Sequence, residues 1–142
     1  MNKTNYEGYD DPTAYGAMEA IFKQERTTQN RHRKLVFICS PLAGRMKWNI
    51  RNARRYSLYA IGQGVVPVTP HLMYTQYLDD ADPEHRAMAM ECGISLLRRC
   101  SEIWVFGGRV SGGMRREIAF ARRHNIAVRY FNGNCEEVPP FA

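Results

Sequence analysis

The chain has 142 residues, of which 44% are hydrophobic and 24% are charged, so we expect one globular domain with a short extension at most. Lys and Arg number 20 and Asp and Glu number 14, and the resulting formal charge of +6 favours anionic partners. No apolar run approaches the roughly 18–20 residues of a membrane span, and the polar start does not resemble a signal peptide. The four cysteines lack CxxC and Cys/His spacing, which argues against a disulfide scaffold or a zinc site and favours reduced thiols in the cytoplasm.

The first 33 residues differ in composition from the rest and are predicted to form an N-terminal arm and linker, with the main domain at 34–142. Asp11-Pro12 is typical of a helix start, and the apolar residues that follow it have helical spacing, which predicts an amphipathic helix over 12–26. Two interpretations of this arm stay open. It is either a frayed extension or a helix that docks on a neighbouring subunit of a homo-oligomer.

From residue 34 onward, predicted strands alternate with predicted helices. The strands cover 34–40, 65–70, 102–108 and 126–131, and Pro67 favours an edge position for the second. The first helix covers 45–62, and its core-facing side is predicted to carry Ile50, Ala53, Ser57, Ala60 and Ile61. The other helices are a segment opened by Asp82-Pro83 and 111–124, while 71–82 and the tail after 131 are predicted to be loop and turns. Because each strand is a continuous apolar run, the pattern predicts an α/β fold. We expect a Rossmann-like three-layer sandwich with a four- to five-stranded, mostly parallel sheet.

Ligands of open α/β sheets bind beyond the carboxyl ends of the strands, and the segment GGRVSGGMRRE after the third strand is the most informative such stretch. Its glycines allow the backbone to approach a ligand closely, and the first amide groups of the next helix favour an anion. Ser111 either caps that helix or donates its hydroxyl to a phosphate. An ordinary strand-to-helix turn would also contain glycines. The candidate nucleotide-binding residues of this segment are Gly107, Gly108, Ser111, Gly112 and Gly113.

Two further loops at the same edge contain candidate ligand contacts. In CSPLAG, after the first strand, the Ser40 hydroxyl and the backbone amides near Gly44 are suited to a ribose or a phosphate, although Pro41 is also typical of an ordinary turn. After the second strand, His71 and several tyrosine, leucine and methionine side chains are placed to cover a base. A structural role is the more usual one for such a histidine. The candidates from these loops are Ser40, Pro41, Ala43, Gly44 and His71.

Taken together, FICSPLAG and CSEIWVFGGRVSGGMRREIAFARRHNIAVRYF resemble the nucleoside 2-deoxyribosyltransferase-like superfamily over about 34–131. The resemblance is greatest to its uncharacterised phage and bacterial branch, and the chain is also similar to the branch that hydrolyses nucleoside monophosphates. The resemblance implies that Glu117 is the nucleophile, that Ser111 and Gly113 match the phosphate-binding spacing, and that the first loop holds sugar and phosphate. Such a carboxylate attacks C1′ of a deoxyribose, and water or another base resolves the resulting ester.

The chain departs from this family at a second acidic position. The active enzymes carry an Asp 24 residues before the nucleophile, and that position is Gly93 here. A common family Asp ahead of the third strand falls on Ser101. An acidic residue of the loop after the second strand is a possible substitute, and the choices are Asp79, Asp80 and Asp82.

Three functions are compatible with these residues. The first is an enzyme that cleaves or transfers at the N-glycosidic bond, with Glu117 as nucleophile. The second is a non-catalytic nucleotide sensor or sequestering protein, which the loss of the Asp at Gly93 favours. The third is a nucleic-acid-binding module, which the absence of a recognised motif argues against. The expected partner is therefore a small nucleotide or nucleoside, with no cofactor, no metal and no membrane.

Overall fold

The computed structural model describes residues 16–21 and 33–141. The chain divides into two compact units, Met1–His32 and Arg33–Ala142. In the first unit, residues 16–21 are helical, within the helix predicted over 12–26. The rest of that predicted helix, including its Asp11-Pro12 start, lies outside the described residues.

The second unit alternates strands and helices in chain order. Strand β1 (Leu35–Cys39) leads to helix α1 (Met46–Gly62), and β2 (Val66–Val68) leads to a short helix α2 (Pro70–Met73) and a 3-10 turn (Tyr74–Gln76). Helix α3 (Pro83–Leu97) precedes β3 (Glu102–Phe106), and helix α4 (Gly112–Arg123) precedes β4 (Ala127–Phe131) and β5 (Glu137–Val138). Asp82 begins α3 as predicted, because its side chain accepts a hydrogen bond from the Glu84 amide at 2.8 Å.

The five strands form one sheet in the order β2-β1-β3-β4-β5. The first four are parallel, with Phe37 opposite both Val68 and Ile103, and β2 lies at an edge as Pro67 predicts. The expected turn-rich tail contains β5, which pairs with β4 in the antiparallel direction. Its two residues are too few to show a strand pattern. The two Arg129–Glu137 hydrogen bonds, at 2.7 and 2.9 Å, attach it to β4.

Helices cover both faces of this sheet. On one face, Val36, Ile38 and Phe106 pack with Tyr56 and Ala60 of α1. On the other face, alternate strand residues such as Phe37 and Val105 pack with α3 and α4. These three layers confirm the predicted Rossmann-like α/β fold, and the alternation of the β1 side chains between the two faces follows from strand geometry.

Two local predictions were wrong. Helix α1 was expected to bury a face that includes Ile61, but Ile61 is 54% exposed and the buried face is formed by Asn49, Ala53, Tyr56 and Ala60. The observed face differs from the predicted one by one position, because Tyr56 packs on the aromatic residues of the sheet and stacks on Phe106. Residues 71–82 were expected to be a loop, but residues 71–76 belong to α2 and the 3-10 turn. Pro70 is the first residue of α2, a position that suits proline.

Candidate functional site

The loops after β1 and β3 lie side by side at the carboxyl edge of the sheet, because these two strands are parallel neighbours. They touch at Pro41 and Gly107. A Cβ atom added to Gly107 would lie 3.3 Å from Pro41 Cδ, and the Gly107 φ of +105° is one that L side chains rarely adopt. The close contact therefore requires glycine at this position, and it fixes the spacing of the two loops.

Next to this contact lies a cavity of about 610 Å³, which we call the main cavity. The first loop, the residues after β2, helix α3 and the start of α4 all contribute to it. Its described lining combines aliphatic and aromatic side chains with two carboxylates, two histidines and two arginines. The lining residues are Leu42, Ala43, Pro70, His71, Tyr74, Thr75, Leu78, Asp80, Pro83, His85, Arg86, Ala87, Ala89, Met90, Ser111, Gly112, Gly113, Met114, Arg116 and Glu117.

Glu117 is the buried acid of the main cavity. It lies on the second turn of α4, on the face that packs against the sheet, and is 7% exposed. Its Oε1 accepts a hydrogen bond from Cys39 Sγ at 3.4 Å. Burial raises the pKa of Glu117 to about 7, although the hydrogen bond from Cys39 acts in the opposite direction. A carboxyl group of this pKa is poised to change charge near neutral pH, as nucleophiles and general acids or bases require.

The partner of Glu117 was not predicted from the sequence. Cys39 is the last residue of β1 and is 1% exposed, on the sheet face covered by α3 and α4. Burial and the neighbouring Glu117 both raise the pKa of the Cys39 thiol well above its ordinary value, so the sulfur keeps its proton and acts as a donor. The continuous apolar run over 34–40 predicted a buried strand that includes Cys39. Only the structure brings it to a residue 78 positions away.

Gly93, where the resemblance to the deoxyribosyltransferase-like superfamily implies an Asp, lies beside Glu117. A Cβ atom added there would be 3.9 Å from Glu117 Oε2 and 3.9 Å from Pro70 Cγ, which is ordinary van der Waals contact. A larger residue at this point of α3 would therefore face the carboxyl group. Gly93 itself is absent from the described lining of the main cavity, so its relevance to the site is its proximity to Glu117.

The other acidic positions raised from the sequence are placed differently. Asp80 lines the main cavity, whereas Asp82 caps α3 and the Asp79 side chain accepts a hydrogen bond from the Ala81 amide at 3.0 Å. Ser101 precedes β3, at the opposite edge of the sheet from the cavity, where its amide donates to the Leu35 carbonyl. Asp80 is thus the one of these residues that the structure brings to the cavity containing Glu117.

One wall of the main cavity is formed by the residues at the start of α4, which are Ser111, Gly112 and Gly113. The Ser111 hydroxyl accepts a hydrogen bond from the Met114 amide at 3.4 Å and caps the helix, which leaves its hydroxyl proton available to a ligand. A Cβ atom at Gly113 would lie 3.2 Å from Met90 Cε, so glycine permits the close approach of α4 to α3. The backbone amides of this first turn favour an anion in the adjoining part of the main cavity.

His71 lines the main cavity and also connects α2 to the end of β1. Its Nε2 lies 2.7 Å from the Ser40 carbonyl oxygen, so Nε2 must carry the proton and Nδ1 is left as an acceptor. Burial lowers the pKa of His71, which keeps the ring neutral at pH 7. Of the apolar and aromatic residues predicted around it, Tyr74 also lines the cavity, while Tyr77 is 66% exposed and Met73 is 42% exposed.

Apart from Ala43, the remaining predicted residues lie outside the main cavity. Pro41, Gly44 and Gly107 line a second cavity of about 400 Å³, and Ala43 lines both. Ser40 is 1% exposed, and its Oγ has no hydrogen-bond partner within the described part of the chain. Gly108 has a φ of +77° and belongs to the described lining of neither cavity. The predicted contacts therefore divide between two adjacent cavities.

Residues 16–21 and 33–141 contain no group of three or more His, Cys, Asp or Glu side chains placed to hold a metal ion. Within the same residues, no helix combines the length and the apolar character of a membrane span.

Comparison with known proteins gives a fold and a family. The chain is similar in structure to a 2-deoxyribosyltransferase from the psychrotolerant bacterium Bacillus psychrosaccharolyticus, with a TM-score of 0.53 and 13% sequence identity. The similarity covers 74% of this chain and 77% of that enzyme, and at this identity it establishes the fold. No curated protein matches the chain. A family model described as "Domain of unknown function (DUF7768)" matches residues 34–131, and the chain therefore belongs to this family.

Proposed function

We propose that this protein binds a nucleoside or nucleotide in the main cavity and cleaves or transfers at its N-glycosidic bond, with Glu117 as the nucleophile. One observation carries the proposal. A nearly buried carboxyl group with a pKa of about 7 lines a cavity beside a glycine-rich helix start, in a fold shared with a 2-deoxyribosyltransferase. The cavity volume of about 610 Å³ is in the range of small-molecule sites.

The proposed reaction has two steps. The ionised Glu117 carboxylate attacks C1′ of the sugar, the C1′–N bond breaks, and its electron pair leaves with the base, which takes up a proton from solvent. Water or a second base then attacks C1′, gives a proton back to solvent, breaks the ester and returns the carboxylate. Ser111 and the first amides of α4 are suited to hold a phosphate of the substrate, and Tyr74 is suited to contact the base.

Gly93 favours a second candidate function. With no acidic side chain at this position, Glu117 lacks the partner carboxyl group that the family resemblance implies for the active enzymes. A protein that binds a nucleotide without cleaving it, as a sensor or a sequestering protein, would retain the cavity and the helix start. It would not need a second acid beside Glu117.

One experiment separates these functions. Purified protein is incubated with a panel of deoxynucleosides and deoxynucleoside monophosphates, free base is measured by chromatography, and binding is measured by calorimetry. The enzyme proposal predicts base release that Glu117→Gln abolishes and that Glu91→Gln, which changes an exposed acid of α3, leaves intact. Binding with the ligand recovered unchanged would support the non-catalytic function. Neither binding nor base release with any member would refute both.

The broader setting is part of the same proposal. The reduced thiols favour the cytoplasm, and the resemblance to the phage and bacterial branch favours that origin. We also propose that residues 1–33 are an arm outside the nucleotide-binding domain at 34–142, and that the protein forms a homo-oligomer. Light scattering of the purified chain tests the oligomeric state, since a monomeric mass would contradict that part.

A further inference from the structure

We propose that the second cavity is a separate phosphate-binding site at the start of α1. It lies on the opposite side of the first loop from Glu117, and the two cavities share Ala43. The site would take inorganic phosphate or the phosphate group of a small monoester. The proposal does not depend on the function proposed for the main cavity.

The lining of the second cavity is cationic and polar. Arg45 enters from the first loop and Arg109 from the loop after β3, and the remaining polar contributors include Asn49, Asn52 and Tyr56. No carboxylate occurs in the lining that the structure describes, whereas the main cavity has both Glu117 and Asp80. Two arginines without an acidic neighbour favour an anion, and phosphate is the anion that guanidinium groups bind well.

The backbone around this cavity also favours an anion. Among the described residues, no side chain caps the start of α1 at Arg45, and its first turn has no acidic residue. The buried carboxamide of Asn49 donates to the Leu42 carbonyl at 2.8 Å and to the Ala43 carbonyl at 3.4 Å. It thereby engages two carbonyl oxygens that would otherwise repel an anion. The first amides of a helix of 17 residues remain as donors.

Trp48 provides a direct readout of occupancy. The chain has two tryptophans, of which Trp104 is 2% exposed in the core and Trp48 is 47% exposed in the lining of the second cavity. The Arg45 guanidinium carbon lies 5.3 Å from the centre of the Trp48 ring. An anion that draws the arginine away from the ring would change the fluorescence of Trp48, because the contact between cation and ring would change.

The test is a fluorescence titration with inorganic phosphate at constant ionic strength, repeated by calorimetry. We expect saturable binding with a Kd on the order of 1 mM, weakened at least about tenfold in the double variant Arg45→Gln/Arg109→Gln. The matched control, Arg51→Gln/Arg54→Gln, removes the same charge from exposed positions of α1 and should bind as the wild type does. Trp48→Phe should lose the fluorescence change and keep the calorimetric signal.

Equal weakening in both arginine pairs would overturn the proposal, because it would show a general charge effect. Saturation that neither pair alters, or no saturation at all, would overturn it as well. A nucleoside monophosphate that competes with phosphate for the Trp48 signal would support a site that accepts a phosphate monoester. Additive binding of the two would contradict the monoester part and leave inorganic phosphate as the ligand. Glu117→Gln should retain phosphate binding, so failure of the main-cavity proposal is distinguishable from failure of this one.

Discussion

Two glutamates at opposite edges of the same sheet experience contrasting surroundings. Glu102, at the amino end of β3, accepts hydrogen bonds from Trp104 Nε1 at 2.9 Å and Lys34 Nζ at 3.4 Å, and Arg129 lies 3.5 Å away. Burial alone would raise its pKa, but these donors and cations outweigh burial and lower it. Glu117, at the carboxyl edge, has the Cys39 thiol as its hydrogen-bond donor, and burial raises its pKa to about 7.

The difference indicates a structural role for Glu102 and agrees with the functional role proposed for Glu117. Glu102 is satisfied by its neighbours, and its charge helps to hold the amino ends of the strands together. Glu117 reduces the stability of the fold when it ionises, and such a cost is typical of residues retained for chemistry. Glu102 lies on β3 and Glu117 on α4, which packs against the same sheet, so matched substitutions at the two positions test this distinction directly.

The largest effect is expected from Glu117→Gln at alkaline pH. The folded protein keeps Glu117 protonated up to a pKa of about 7, whereas the unfolded chain loses that proton near 4.5. Wild-type stability therefore falls as the pH rises from about 4.5 to about 7, by about 3 kcal/mol. The variant escapes this loss, and urea unfolding should show it to be more stable than the wild type at about pH 8 and equal to it at about pH 4. A variant that is less stable at every pH would contradict the assigned pKa.

Gly93→Asp should sharpen the same contrast. The new carboxyl group would lie beside Glu117 Oε2, and because two like charges at this distance resist joint ionisation, the pKa of Glu117 should rise further. We expect the pH range over which stability is lost to extend upward by about one unit, measured by unfolding across pH. Gly93→Asn, of nearly the same size and without charge, should follow the wild-type pH dependence. If Asn reproduces the shift, steric displacement is the cause.

Glu102→Gln is predicted to change stability in the opposite direction to Glu117→Gln. Its folded pKa is lowered, so the stabilisation it supplies is present above its unfolded pKa and is lost as the pH falls through the folded value. At pH 7 the variant should be less stable than the wild type by about 1 kcal/mol, because Lys34 and Arg129 lose a charged partner. The deficit should disappear once the pH falls below the folded pKa of Glu102. A stabilising effect at pH 7 would remove the distinction between the two acids.

The smallest effect is expected at Cys39. Its thiol lowers the pKa of Glu117, so Cys39→Ala should raise that pKa, while Cys39→Ser, with a stronger hydroxyl donor, should lower it. The displacement should be a fraction of a pH unit in each direction, visible by carboxyl-carbon NMR. The opposite displacement of the two variants distinguishes hydrogen bonding from a packing defect, which would act in the same direction in both.

The sequence was sufficient for most of the fold because its signals are local. Continuous apolar runs identified four strands, Pro67 identified the edge, and Asp82-Pro83 and Ser111 identified two helix starts. The tail strand β5 and helix α2 were missed, since two to four residues are too short for a periodic pattern. The buried face of α1 was misplaced by one position because packing against Phe106 and Phe131 decides it.

The candidate site was predictable only in part. The rule that ligands bind at the carboxyl edge predicted that the first loop and the loop leading to α4 lie together. In the structure these two loops meet at Pro41 and Gly107. The Cys39–Glu117 hydrogen bond and the division into two cavities depend on residues far apart in the chain. No periodicity or spacing in the sequence encodes such contacts.

The most direct test of the account is the rate of free-base release from a deoxynucleoside monophosphate, measured for wild type and Glu117→Gln between about pH 5 and about pH 9. A nucleophilic Glu117 must be ionised, so the wild-type rate should rise with pH through about 7, and the variant should release no base at any pH. A rate that falls through this range would make Glu117 an acid instead of a nucleophile. Undiminished release by the variant would contradict the account altogether.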